Sequence, residues 1–160
     1  MSQASTPLET AHGYSAPTVT QFSVFLHNKV GKLHDLVEMF DQAHCMICAL
    51  SVHEASDHAV VRLITNNAEC ARGELSRMKL AFTERDVLVV ELSGKHTLSS
   101  MCLHLLRAEL SIHFAYPLML TPGANPTIAL AVDDLTLGGQ ILRRKEFRLL
   151  GEADLTNRTP

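Results

Sequence analysis

A pattern of strand, turn, helix, strand, strand, helix and strand occurs twice in this chain of 160 residues. In the first copy, Phe22, Val24 and Leu26 alternate along a strand, and a glycine-containing turn then leads into an amphipathic helix. The second copy is weaker but keeps the same order, and Leu98 in it corresponds to Leu33 in the first copy. The pattern predicts an α+β fold of two tandem βαββαβ units, each an antiparallel four-stranded sheet with its helices on one face.

The unit boundaries follow from the spacing of the apolar segments. Residues 1–17 are polar, small and without periodicity, which predicts a flexible tail. We assign residues 18–85 to the first unit and residues 86–155 to the second, with a polar tail after Asp154. The boundary separates two predicted strands, Phe82 to Arg85 and Val87 to Leu92.

Helical spacing predicts the inward face of the helix after each turn. The first face consists of Leu33, Leu36, Val37 and Phe40, and the second of Leu98, Met101, Cys102 and Leu105. Each unit of about 70 residues is near the lower limit for a self-sufficient core. We therefore expect the units to pair with each other, with another chain, or both.

Composition argues against several classes of function. The formal net charge of -3 provides no basic excess for nucleic acid, and no apolar run is long enough to span a bilayer. All four cysteines lie in apolar periodic segments, which is typical of free thiols in a reducing cytoplasm. We find no triad order, phosphate loop or dinucleotide motif, so the chain is predicted not to be an enzyme and to carry no cofactor.

Two groups of residues suggest a metal site at first sight. Cys45 and Cys48 follow His44, but residues three apart on a strand point to opposite faces, so the two sulfurs should not converge. The nine histidines include no pair spaced for a zinc site on one helix face. We predict structural thiols, dispersed histidines and no metal.

The turn between the first strand and the first helix is the strongest candidate site. Glycine at the start of a helix leaves backbone N–H groups without partners inside the helix, and such groups bind small carboxylates. The alternative is an ordinary connection between strand and helix. The predicted ligand-binding residues of the turn are Asn28, Lys29, Val30, Gly31, Lys32 and Leu33.

Four short motifs resemble those of the ACT-domain family in its tandem, stand-alone form. The family turn N-x-P-G-x-L compares with Asn28 to Leu33. The other resembling segments are Ala49 to Val52 through Ser56-Asp57 to Val60–Ile64, the junction Thr83 to Leu88, and Phe114-Ala115-Tyr116. The order of these motifs over nearly the whole chain supports the resemblance.

The resemblance implies ferredoxin-like units that lie side by side with a continuous sheet. It also implies a free amino acid bound where two units meet, in contact with the glycine turn of one unit and with strand residues of the other. Leu50 and Tyr116 are the candidate strand contacts, and the alternative for Tyr116 is a half-buried sheet residue with a satisfied hydroxyl. The implied partners are a free amino acid, further copies in a homodimer or larger homo-oligomer, and an enzyme of amino-acid metabolism.

The sequence departs from the family pattern at two positions. Val30 replaces the usual proline, and His96 occupies the place of Gly31 in the second unit, where Gly94 is expected to take over the turn. We therefore expect ligand binding at the first turn rather than the second. The main hypothesis is an amino-acid sensor; the alternative is a non-catalytic dimerisation or interaction module that binds a metabolic enzyme without a small ligand.

Overall fold

The structure, a computed structural model, describes residues 9–10, 13–14, 17–27 and 30–156. The strands are β1 (Glu9–Thr10), β2 (Gly13–Tyr14), β3 (Val19–His27), β4 (Ile47–Glu54), β5 (His58–Thr65), β6 (Ala81–Glu91), β7 (Ile112–Pro117), β8 (Thr127–Val132) and β9 (Arg148–Leu149). The helices are α1 (Lys32–Gln42), α2 (Ala68–Arg77), α3 (Leu98–Arg107), α4 (Leu135–Arg144) and α5 (Glu152–Thr156).

The first unit is a four-stranded antiparallel sheet in the order β4-β5-β3-β6. Its alternating apolar residues point toward α1 and α2, as the period of two requires. Phe22 and Leu63 from the sheet pack with Phe40 of α1 and Leu75 of α2, and all four are fully buried. Burial of such side chains is the main source of stability for an element of this kind.

The second unit repeats this arrangement with the order β7-β8-β6-β9. Leu88 and Leu130 pack from its sheet against Met101 and Leu105 of α3 and Leu142 of α4. The predicted α+β class, with two tandem ferredoxin-like βαββαβ units and helices on one face of each sheet, is therefore confirmed.

One strand belongs to both sheets. The first part of β6 pairs with β3 as far as Val87, opposite Val19, and the next residue, Leu88, pairs with Leu130 of β8. The predicted separation into two strands at Asp86 is wrong, because Asp86 continues the ladder opposite Thr20. No glycine or proline occurs in this segment, so nothing in the backbone ends the strand there.

The helix-free faces of the two sheets pack together, and we call this contact the seam. Its buried core comprises Val19, Cys48, Ala49, Ile64, Val87, Val89, Tyr116, Ala129, Ala131, Leu150 and Leu155. The outer strands β4 and β7 also meet, and just after β7 the Met119 amide donates to the Cys48 carbonyl of β4 over 2.7 Å. The molecule therefore has four layers, with helices outside and two sheets inside.

Three smaller expectations were wrong. Leu33, predicted on the inward face of α1, is exposed. Leu98 and Cys102 of α3 are exposed, so that helix buries only Met101 and Leu105 of its predicted face. The predicted polar tail after Asp154 includes the last turn of α5, where Leu155 is fully buried in the seam.

The C-terminal helix also links the two units. Glu152 of α5 accepts a hydrogen bond from the Ala68 amide at the start of α2. At the other end of the chain, β1 and β2 pair within the segment predicted to be a flexible tail, most of which lies outside the described residues. No helix in the described parts of the chain has the length and apolarity needed to cross a membrane.

Candidate functional site

The turn before α1 has the backbone conformation that the glycine predicts. Gly31 is the N-cap of α1 with φ 87° and ψ -9°, in the left-handed region that favours glycine. Val30 and Lys32 beside it are exposed, and Leu33 is 37 % exposed. Asn28 and Lys29 lie outside the described residues, so their predicted part in the site stays a prediction.

The amide groups at the start of α1 differ from those of the other long helices. No described side chain accepts a hydrogen bond from the first turn of α1. In contrast, Asn67 caps α2, Thr97 caps α3 and Asp134 caps α4, each through a side-chain oxygen that accepts from an amide three residues later. The first turn of α1 therefore presents main-chain donors beside an exposed glycine.

The corresponding turn of the second unit is closed by its own groups. Ser93 and His96 exchange backbone hydrogen bonds of 3.1 and 2.8 Å, and Gly94 takes the left-handed conformation with φ 54°. The His96 ring packs on Phe147 with centroids 4.8 Å apart, and its Nε2 lies 3.1 Å from the Lys145 carbonyl. Gly94 therefore takes over the turning role, and no left-handed strain falls on His96.

The two predicted strand contacts lie away from the first turn. Leu50 is partly buried between the first sheet and its helices. Tyr116 is buried in the seam, where its hydroxyl donates to Gln21 Oε1 over 2.7 Å. Gln21 is six residues from His27 at the end of β3, about 20 Å at the usual strand rise. Within one chain the structure does not bring these side chains to Gly31.

The environment of Tyr116 keeps its hydroxyl protonated. Burial raises the pKa of this phenol well above its usual range, and nearby Arg62 lowers it only in part. A neutral hydroxyl is a donor, which matches its bond to Gln21. Nothing in the sequence pairs these two residues directly, although a glutamine between Val19 and Phe22 in an apolar strand is a signal for a buried polar contact.

Comparison with protein-family models identifies the chain. The model described as an ACT domain pair matches residues 17–157, nearly the whole sequence. The chain belongs to the ACT domain pair family. This match confirms the resemblance drawn from the motifs, and both units of the pair are present in the fold. No curated protein matches the sequence.

Solved structures share the fold of this ACT domain pair. The protein BT0572 from Bacteroides thetaiotaomicron superposes with a TM-score of 0.78 at 22% sequence identity, covering 88% of this chain and 96% of that one. The ligand-free regulatory subunit of aspartate kinase from Thermus thermophilus gives a TM-score of 0.55 at 7% identity, covering 81% of this chain and 93% of that one. At these identities the likeness concerns the fold alone.

The cysteines of the ACT domain pair lie in two separate cores. Cys45 packs between the first sheet and its helices, whereas Cys48 packs in the seam, on the other side of the sheet. Burial raises the pKa of both thiols to about 12, which keeps them protonated and poorly nucleophilic. The described residues contain no group of three or more His, Cys, Asp or Glu side chains placed to hold a metal ion.

Proposed function

We propose that this ACT domain pair is a non-catalytic regulatory protein that binds a free amino acid at the turn before α1. The observation that carries the proposal is the combination at Gly31 of a left-handed glycine, an exposed turn and a helix start that no described side chain caps. Family membership supports a regulatory role, because the fold is that of a regulatory subunit in the Thermus thermophilus protein.

The chemistry of a helix start suits the carboxylate of the ligand. The first amides of α1 point out of the helix, and the helix dipole adds partial positive charge at the same place. An amino acid of about ten heavy atoms should gain roughly 4–8 kcal/mol, which corresponds to a millimolar to micromolar dissociation constant. This range is suited to sensing a metabolite.

A second copy of the chain is part of the proposal. A Cβ at Gly31 would meet no atom within 4 Å, and Val30 is fully exposed. The turn can therefore contact a ligand on one side only. The seam inside the chain is filled by the chain's own residues. We therefore place the ligand side chain against another copy in a homodimer, where binding would favour one arrangement by about 1–3 kcal/mol.

The output of the sensor is proposed to be a contact with an enzyme of amino-acid metabolism in the cytoplasm. The exposed face of α3 includes Leu103 and Leu106, the latter 70 % exposed, and is one surface available for such a contact.

A thermal-shift screen of the full-length protein against the twenty amino acids tests this function. A ligand at about 100 times its dissociation constant adds about 2.7 kcal/mol to the free energy of unfolding and should raise Tm by about 5–10 °C. Gly31→Val should abolish that shift, because a β-branched side chain at this position blocks the amides and disfavours the left-handed backbone.

Gly94→Val is the matched control. Gly94 also has a positive φ, and a Cβ there also meets no atom within 4 Å, so both variants carry the same kind of backbone strain. The control should keep the ligand-induced shift. If no amino acid raises Tm and Gly31→Val changes only self-association, the alternative role as an interaction module without a small ligand is favoured.

A further inference from the structure

The second sheet covers only part of the first sheet's inner face. Ala49 and Ile64 on this face are fully buried in the seam. One row further along the strands, Ser51 and Arg62 are only partly buried, and Phe25 in the next row is 38 % exposed. Burial therefore decreases toward this end of the seam, and we call the region around Ser51, Arg62 and Phe25 the cleft mouth.

Two arginine side chains lie close to one aromatic ring at the cleft mouth. The guanidinium carbon of Arg62 lies 4.0 Å from the Phe114 ring centroid, and that of Arg85 lies 5.4 Å from the same centroid. Two positive charges therefore lie within cation–π distance of one ring. Neither arginine has an ion pair with any acidic side chain that the structure describes.

Hydrogen bonds orient Arg62 without neutralising it. Its Nη1 donates to His53 Nε2 over 3.3 Å, and Ser51 Oγ lies 2.7 Å from the same nitrogen. These contacts fix the position of Arg62 and place no negative charge beside it. Arg62 keeps four further N–H donors, and those of Arg85 have no hydrogen-bond partner among the described residues.

Apolar surface adjoins the two charges. Phe25 pairs directly with Val60 across the sheet, two residues along each strand from Ser23 and Arg62, so all four lie on the same face. A ligand that joins a carboxylate to an apolar body would match both parts of this surface. The planar guanidinium favours a carboxylate, with which it forms two parallel hydrogen bonds.

We propose that the cleft mouth is a second ligand site, separate from the turn at Gly31, that binds a small monocarboxylate with an apolar body. The carboxylate contacts the guanidinium groups of Arg62 and Arg85 beside Phe114, and the apolar body lies on Phe25 and Val60. The site is contained in one chain and needs no second copy.

Titration of the isotope-labelled protein with sodium benzoate, followed by amide NMR, tests the proposal. Benzoate should shift the amide signals of Ser23, Phe25 and Arg62 in a saturable way. Arg62→Gln and Arg85→Gln should each weaken the fitted affinity by about tenfold or more, because each removes a charge-assisted contact. Arg107→Gln, an exposed arginine on α3, removes the same charge elsewhere and should leave the affinity unchanged.

Further probes separate this site from nonspecific binding of apolar molecules or of anions. Benzyl alcohol has the apolar body without the charge, and inorganic phosphate has the charge without the body, so both should bind much more weakly than benzoate. Gly31→Val should bind benzoate normally even if it loses an amino acid. Arg85 is exposed, so its substitution should keep the seam intact. The proposal would be overturned if benzyl alcohol bound as tightly as benzoate or if phosphate bound more tightly. It would also be overturned if Arg85→Gln and Arg107→Gln lost the same amount of benzoate affinity.

Discussion

The turns that precede α1 and α3 occupy the same place in the repeat, yet the hydrogen bonds at the two helix starts differ. In the second unit, Thr97 caps α3 and His96 closes the turn against Ser93 and Phe147. In the first unit, Gly31 begins α1 and no described side chain takes the role of Thr97. A repeated unit can therefore keep its fold while one copy caps its helix start with a side chain and the other has no such cap among the described residues.

The difference is local, since the cores of the two units are built alike. Each sheet sends alternating apolar residues toward two helices, and each core contains large, fully buried side chains from both layers. The comparison therefore predicts similar responses to core mutations and different responses to mutations at the turns.

Core truncations should have the largest effects and should act on the whole molecule. Phe40→Ala in the first unit should lower the free energy of unfolding by about 3–5 kcal/mol, and Met101→Ala in the second unit should lower it by about 2–5 kcal/mol. Because β6 belongs to both sheets, each variant should unfold in a single transition, detected by calorimetry and by circular dichroism, with a lowered midpoint temperature. Two separate transitions, with only the mutated unit affected, would show that the shared strand does not couple the units.

Removal of the cap on α3 should have an intermediate effect. Thr97→Ala loses the hydrogen bond from the Ser100 amide and should cost about 1 kcal/mol in urea unfolding. It should leave any amino-acid-induced thermal shift unchanged, because the turn remains closed by Ser93 and His96. An extra equivalent of ligand bound by this variant would mean that the cap alone distinguishes the two turns.

The smallest effect concerns pH and a surface pair of the first unit. Arg72 donates two hydrogen bonds to Glu84, of 2.8 and 2.6 Å, which lower the pKa of that carboxyl below 4.5. The pair therefore stabilises the fold above pH 4.5, and its contribution is lost as the pH falls through the lowered pKa. Both side chains are more than one-third exposed, so salt should screen the effect.

Unfolding measured from about pH 6 down to about pH 3 tests this pair. Glu84→Gln should reduce the decrease in the free energy of unfolding as the pH falls, and high salt should reduce it as well. Glu146→Gln is the matched control from the second unit, where the Lys95 contact is longer, at 3.4 Å, and more exposed. A control with the same flattening would assign the pH dependence to general charge rather than to the Arg72–Glu84 contact.

Periodicity predicted much of this fold. The alternation in β3 and the helical spacing in α1 correctly placed Phe22, Leu36 and Phe40 in one core. Both follow from local geometry, which an individual segment determines by itself. The predicted break at Asp86 failed because a charged residue does not end a strand whose partner, Thr20, continues the ladder.

Contacts between the units could not be read from local patterns. Leu155 follows polar residues and was assigned to a tail, but it packs across the chain into the seam. Cys48 joins the seam because a register shift between Ile47 and Ala49 interrupts the alternation of β4. Arg62 in the apolar strand β5 was the available signal for the cleft mouth, yet only the three-dimensional structure brings Arg85 and Phe114 beside it.

The unbroken course of β6 makes the two halves of the polypeptide inseparable. A cut before Ala81 leaves the first half without its last strand, and a cut after Glu91 leaves the second half without its first. Either fragment would expose a row of unpaired backbone groups and would regain a complete sheet only by rejoining the other. Each unit of the pair therefore depends on the same stretch of backbone to complete its sheet.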